Sequence, residues 1–211
     1  MNITCISDTH GLHNYCNLQP GNLLIHAGDI TEYGTPEELE DFIDWFTQQP
    51  FDYKIFIGGN HDFCLAETTK NNIQKQLPKN TYYLHNSGIT INDLHIWGSP
   101  VTPYFLGMAF NEKRGNDIQK VWKKIPATTN ILITHGPPLG ILDNGFGCED
   151  LLKKVQAIQP TLHVFGHVHE QCGTIQQANT KFVNAALVNN IDLLIGEEYK
   201  MAGKPVCLTI K

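Results

Sequence analysis

At 211 residues, with 41% hydrophobic and 17% charged residues, the chain has the length and apolar content of one domain around one core, expected over 1–211. Ordinary apolar content without a long charge block excludes disorder, and apolar runs of only a few residues exclude a membrane span. A formal charge of −6 argues against tight, non-specific binding to long nucleic acid.

The N-terminal stretch Met1 to Asp8 has no basic region and no extended apolar run, so the expected location is the cytoplasm. Six scattered cysteines without a CxxC pair are expected as reduced thiols rather than as disulfides or a zinc cluster. The first strand-like run, Ile3 to Ser7, stops at Asp8-Thr9-His10, and the second, Leu23 to Ala27, at Gly28-Asp29. Thr35-Pro36-Glu37-Glu38 has the form of a capping box opening a helix, whose apolar stripe is Leu39, Phe42, Ile43 and Phe46 and which Pro50 stops. The third run, Tyr53 to Ile57, leads into Gly58-Gly59-Asn60-His61-Asp62. Short helices are expected near Asn71 to Leu77 and Asp117 to Lys124. Between them Tyr82 to Leu84, Ile89 to Ile91 and Leu94 to Trp97 read as hairpin strands split by Asn-Ser-Gly and Asn-Asp turns.

The fourth run, Ile131 to Thr134, meets His135-Gly136-Pro137-Pro138; a helix is expected over Glu149 to Ile158. The fifth run, Leu162 to Phe165, meets Gly166-His167-Val168-His169. Val183 to Val188, Leu193 to Ile195 and Val206 to Ile210 are further strand candidates. Continuous apolar runs bounded by turn residues suit strands buried on both faces, and the alternation of strands and helices predicts an α/β fold of two stacked sheets with helices outside.

All five buried runs therefore end in metal-ligand chemistry, at the carboxyl ends of strands where α/β folds gather their ligands. Carboxylate, imidazole and a carboxamide oxygen, with no thiolate in any of the five motifs, suit Mn²⁺, Fe or Zn²⁺. Taken singly, Asp-x-His or Gly-Asp is an ordinary polar turn. Five such endings in one chain are not explained that way.

The ordered set D-x-H, G-D, G-N-H-[DE], H and G-H-x-H resembles the calcineurin-like metallophosphoesterase superfamily. Ile6 to His10, Gly28 to Gly34, Gly98 to Gly115, Thr134 to Gly140 and Val164 to Glu170 are similar to its metallophosphoesterase-domain-containing (MPPED-type) branch. The resemblance implies a four-layer α/β/β/α sandwich of two facing mixed β-sheets flanked by helices, with two divalent metal ions at the carboxyl ends of the strands. Asp8, His10, Asp29 and His169 would hold the first metal; Asp29 as a bridge, Asn60, His135 and His167 would hold the second. Some vertebrate members of the branch have glycine where this chain has His167, so the second set is complete here.

The implied activity is hydrolysis of phosphoester bonds by a metal-bridging hydroxide, with His61 as general acid. The branch points to a phosphodiesterase acting on small substrates such as cyclic nucleotides. Glu32 and Asp62 are the two candidates for orienting His61: the resemblance puts Glu32 where a dyad acid sits, whereas Asp62 follows His61 directly and alternatively fixes the loop. The protein-phosphatase form of the second motif, G-D-x-x-D-R-G, is not kept. Gly28-Asp29-Ile30-Thr31-Glu32-Tyr33-Gly34 lacks its phosphate-gripping arginine, which counts against a phosphoprotein phosphatase.

Arg114, the only arginine, is a candidate substrate clamp because a guanidinium forks onto phosphate oxygens; the alternative is a solvated loop charge. Asn60 is a candidate substrate contact as well as a ligand. Phe110, with Tyr104 and Phe105, forms either packing or a stacking wall for a nucleobase. His26, His85, His95 and His163 lie inside strand-like runs and are expected to be structural; His13 follows the first motif in a loop and is discounted as a site residue, although such a loop could approach substrate. A phosphomonoesterase, a nuclease or a non-catalytic metal-binding scaffold are the alternatives on the same residues. The missing basic stripe weighs against the nuclease.

Overall fold

The computed structural model describes residues 1–189 and 198–210. The expected strand Leu193 to Ile195 lies outside the described residues. The chain opens with β1 (Asn2–Ile6) and β2 (Gly21–His26), then helix α1 (Pro36–Gln48) and β3 (Phe51–Phe56). Two short helices, α2 (Phe63–Ala66) and α3 (Lys70–Gln74), precede β4 (Thr81–Tyr83), β5 (Ser87–Ile91) and β6 (Leu94–Ser99). The small strands β7 (Thr102–Pro103) and β8 (Asn111–Glu112) lead to α4 (Asn116–Trp122), β9 (Ile131–Thr134), α5 (Glu149–Ile158) and β10 (Leu162–Phe165). The chain ends in β11 (Gly173–Gln177), β12 (Thr180–Asn184) and β13 (Val206–Thr209).

One sheet has the order β13-β1-β2-β3-β4, with β1 to β4 parallel and β13 antiparallel at its edge. The other has the order β11-β12-β10-β9-β6-β5, parallel from β12 to β6 and closed at each edge by an antiparallel strand. Alternate residues explain the layers. Ile3, Leu23, Ile25 and Ile55 from one sheet meet Ile96, Ile131, Val164 and Val183 from the other in the central core. The opposite faces are covered too: Leu24 and Phe56 pack under Phe42 and Phe46 of α1, while Leu132 and Phe165 pack under α4 and α5. This is the expected four-layer sandwich, and it explains why the strands read as unbroken apolar runs.

The capping box forms. The Glu38 amide donates to Thr35 Oγ1 (3.2 Å) and the Thr35 amide donates to Glu38 Oε2 (3.0 Å). The same carboxylate accepts from the amides of Glu32 and Tyr33, so the cap also shapes the loop that follows Asp29. The β5–β6 hairpin turns on Asn92 and Asp93, both with positive φ, as a two-residue turn requires.

Two strand assignments differ from expectation. Tyr82 to Leu84 is not part of that hairpin: β4 pairs parallel with β3 in the first sheet, and Leu84 to Asn86 carry the chain across to the second, where Ser87 and Gly88 are already strand. The Val183 to Val188 run is strand only to Asn184. Beyond it Ala185 donates to the Phe165 carbonyl and Leu187 to the Ser7 carbonyl, so the backbone crosses from one sheet to the other. Among the described residues no helix is long and apolar enough to cross a membrane, and all six cysteines are free.

Candidate metal centre

β1, β2 and β3 point their carboxyl ends at the same edge as β9 and β10, so five loops converge between the sheets. Asp8, His10, Asp29 and His167 all have positive φ, from 42° to 70°. Holding non-glycine residues there costs on the order of 1–3 kcal/mol each, a strain that concentrates at functional sites. The turn lets each strand end abruptly and send its polar side chain sideways into the pocket. Two glycines make the approach close enough: a Cβ on Gly59 would collide with the Asp29 carboxylate, and one on Gly166 with that of Asp8.

The side chains gather into neighbouring clusters, each with its ligand atoms within 4.8 Å of one another. In the first, His169 Nε2 lies 3.2 Å from Asp8 Oδ1, with His10 beside them. In the second, His135 Nε2 lies 3.2 Å from Asp29 Oδ2 and 2.9 Å from Asn60 Oδ1, and the His167 ring packs against His135 at 5.0 Å. Asp29 Oδ2 is also 3.7 Å from His10 Nε2, which places this carboxylate between the clusters. All seven side chains expected as ligands thus come together.

The outer nitrogens of three histidines are committed to main-chain carbonyls at 3.0 Å: His135 Nδ1 to Ala27, His169 Nδ1 to Asn189 and His61 Nδ1 to Glu32. With Nδ1–H donating, Nε2 of His135 and His169 is left to ligate, the usual device for setting the tautomer of a metal ligand. Asp8 is further held by the His167 amide (2.9 Å).

Electrostatics matches this reading. Burial works against the charge on Asp8, but the hydrogen bond and charge of His169 prevail and bring its pKa down to about 2. Asp29, equally buried, is held well below the usual carboxylate range by His135. Burial opposes the charge on His135, yet Asp29 raises its pKa to about 9. A proton on His135 Nε2 then sits among the oxygens of Asp29 and Asn60, where a cation would otherwise neutralise them. Burial and then His135 push His167 down to about 4, leaving a neutral imidazole as a ligand must be. Both nitrogens of His10 are buried without a hydrogen-bond partner among the described residues. Imidazoles, carboxylates and a carboxamide oxygen, poised in this way, fit two divalent cations.

The accessory residues divide differently from expectation. His61 stands at the edge of the centre, its ring edge-on to His10 at 4.6 Å and its amide donating to Asp29 Oδ1 (2.9 Å). It is the main-chain carbonyl of Glu32, not its carboxylate, that meets the His61 ring; Glu32 Oε2 instead lies 3.2 Å from His10 Nδ1. Asp62 turns away from the reacting side. Fully buried, it accepts from the amides of Ile30, Thr31 and Gly59 and from the Thr31 hydroxyl, which is the loop-fixing alternative.

Arg114 donates to the carbonyls of Gly147 (2.8 Å) and Phe146 (3.1 Å), so its guanidinium joins two loops instead of standing free as a phosphate clamp. Phe110 packs over Gly58 and edge-on to His85, while Tyr104 and Phe105 are 61% and 60% exposed, so the aromatic cluster splits. The segment is tied to the site by the Ala109 amide, which donates to the Asn60 carbonyl (3.0 Å).

His13 is buried against Asp41, Phe42 and Trp45 and does not face the centre. His26 and His163 are structural as expected, bonded to Thr9 and Thr134. Two contributors carry no sequence signal: the Asn189 carbonyl and Tyr199, whose ring stacks on His10 at 4.0 Å.

A family model described as calcineurin-like phosphoesterase matches residues 1–171, a span that holds all seven expected ligands. The chain belongs to the calcineurin-like phosphoesterases. The chain is 39% identical over 211 aligned residues to metallophosphoesterase domain-containing protein 1 of Homo sapiens, an alignment covering 87% of this chain and 65% of that protein; the Mus musculus protein matches to the same extent. It is 40% identical to UPF0046 protein K07C11.7 of Caenorhabditis elegans, covering 90% of this chain and 70% of that one. The chain thus spans just under two thirds of the length of its human and mouse relatives. Among solved structures, TT1561 of Thermus thermophilus superposes with a TM-score of 0.61 at 12% identity, covering 87% of this chain and 88% of that one. GAP50, the anchor in the inner membrane complex of Plasmodium, gives 0.53 at 11% identity, over 89% and 71%. These two share the fold.

Proposed function

We propose that this metal-dependent phosphoesterase is a phosphodiesterase on small substrates, with cyclic nucleotides as the substrate class, Mn²⁺ as the working metal and His61 as the general acid. Two metal ions in these clusters would supply an activated water and charge neutralisation at the phosphoryl oxygens. Asp8, His10, Asp29 and His169 would hold one, and Asp29, Asn60, His135 and His167 the other. His61 is held by its amide to Asp29 and by Nδ1 to the Glu32 carbonyl, which keeps Nε2 free to carry the proton for a departing alkoxide.

The observation that favours a diester over a monoester is the commitment of the single arginine. The strongest positive influences on Asp8 and Asp29 are histidines, and Arg114 is engaged with two carbonyls. A monoester dianion would lack the extra cationic clamp that its second charge calls for, whereas a diester monoanion has only one charge to meet.

Hydrolysis of bis-p-nitrophenyl phosphate and of p-nitrophenyl phosphate, with and without Mn²⁺, tests the proposal. Mn²⁺-dependent preference for the diester is expected. His61→Ala should lose about 10²–10⁴-fold on alkyl diesters and much less on nitrophenyl esters, whose leaving group needs no proton. Preference for the monoester would make the chain a phosphomonoesterase. Inactivity on both after metal loading would leave a binding scaffold, and full alkyl-diester activity in His61→Ala would remove the acid assignment.

A further inference from the structure

Tyr199 lies outside the span matched by the family model, yet its ring reaches into the centre. It stacks on the His10 imidazole at 4.0 Å between centroids and 19° between planes. It is also edge-on to His169 at 5.6 Å and to His61 at 6.4 Å. One side chain thus touches two expected ligands of one metal and the expected acid. It is not a chance visitor from a loose end, because the backbone beside it is fastened.

Lys200 donates to Asn189 Oδ1 (2.7 Å) and Asn189 donates back to the Lys200 carbonyl (3.0 Å). Met201 pairs antiparallel with Val188, and Ala202 and Gly203 both donate to the Leu187 carbonyl (2.8 Å each). The Asn189 carbonyl in this same clasp accepts from His169 Nδ1. The carboxy-terminal return therefore grips the first ligand cluster at two points, one polar and one aromatic.

His10 needs such a grip. Among the described residues neither of its buried ring nitrogens has a hydrogen-bond partner, and Glu32 Oε2 approaches Nδ1 only off hydrogen-bonding geometry. The other histidine of the cluster has a carbonyl to set its plane; His10 has instead the edges of the His61 and His169 rings and, face to face, the parallel ring of Tyr199.

We propose that Tyr199 is a positioning residue of the metal centre, fixing the plane of the His10 imidazole and so raising the affinity of the cluster formed by Asp8, His10 and His169 for its metal. The proposal rests on the reading of these residues as ligands. Mn²⁺ titration calorimetry of the metal-free wild type, Tyr199→Ala and Tyr199→Phe tests it. Aromatic pairs of this kind imply a loss of about two- to ten-fold in affinity at one of the two positions in Tyr199→Ala, with the other unchanged and Tyr199→Phe like the wild type.

The metal-free proteins supply a second readout by NMR. His10 ring protons should be shifted upfield by the stacked ring in the wild type and in Tyr199→Phe, and lose that shift in Tyr199→Ala. Wild-type affinity at both positions in Tyr199→Ala, with or without a lowered melting temperature, would overturn the proposal and leave Tyr199 as packing. An equal loss in Tyr199→Phe would overturn it by assigning the effect to the hydroxyl. A wild type that takes up no Mn²⁺ would defeat the ligand reading itself, and this inference with it.

Discussion

Asp62→Ala separates the loop-fixing role from a proton-transfer role. The carboxylate is fully buried and accepts from the amides of Ile30 (3.1 Å), Thr31 (2.9 Å) and Gly59 (2.7 Å) and from the Thr31 hydroxyl (2.7 Å). Truncation strands four donors, each costing roughly 1–3 kcal/mol when left unsatisfied. Against this, burial and then the nearby Asp29 raise the Asp62 pKa, so its charge is itself uncomfortable and some of the loss is returned. A net loss of about 3 kcal/mol follows, or roughly 6–12 °C in melting temperature for a chain of this size. Asp62→Asn should fall between, since either orientation of the amide turns an NH₂ toward a backbone N–H. Those donors tie the loop carrying Asn60 and His61 to the loop carrying Asp29, so Mn²⁺ affinity should fall together with stability. Urea unfolding in chelator and Mn²⁺ titration measure the two quantities. A loss below about 1 kcal/mol with unchanged Mn²⁺ binding, but with alkyl-diester turnover abolished, would refute the reasoning and return Asp62 to the chemistry.

Acid should weaken the metal-free fold through His26 and His163, which burial lowers to about 3. Because the folded pKa lies below the unfolded value, the unfolded chain binds more protons between these limits, and stability is lost as pH falls below about 6.5. Lowering the pH from 7.5 to 5.5 should cost about 1.4 kcal/mol per group. His163→Gln, measured in urea at both pH values, should therefore gain about that much relative to wild type; an identical pH dependence would contradict the assignment. Arg114→Ala should lower stability by about 1 kcal/mol through its two carbonyl partners and leave KM for the diester within about two-fold. A ten-fold rise in KM at unchanged stability would restore the arginine as a substrate contact.

What the sequence disclosed, and what it withheld, divides along a physical line. The four-layer fold and the gathering of the seven expected ligands were legible because both depend on side-chain type: strands buried on two faces must be apolar throughout, and the polar residue that ends each one stands out against that run. The capping box was legible for the same reason, since Thr and Glu at that spacing make both bonds. The parallel partner of β4 was not, because a three-residue strand carries too little pattern to choose between sheets. For Glu32, Asp62 and Arg114 the sequence left the task open between alternatives, since type does not say which acceptors or donors the fold has already engaged.

The holders of the centre are the least legible. His135, His169 and His61 are each set by a main-chain carbonyl, from Ala27, Asn189 and Glu32, and every residue has one. Substituting Ala27 therefore need not disturb the histidine that its carbonyl holds, whereas shifting the backbone would. The ligands are a property of composition at strand ends; their orientation is a property of the fold. Tyr199 is the exception, a holder that acts through its side chain, and so the one whose removal can show whether orientation limits metal affinity.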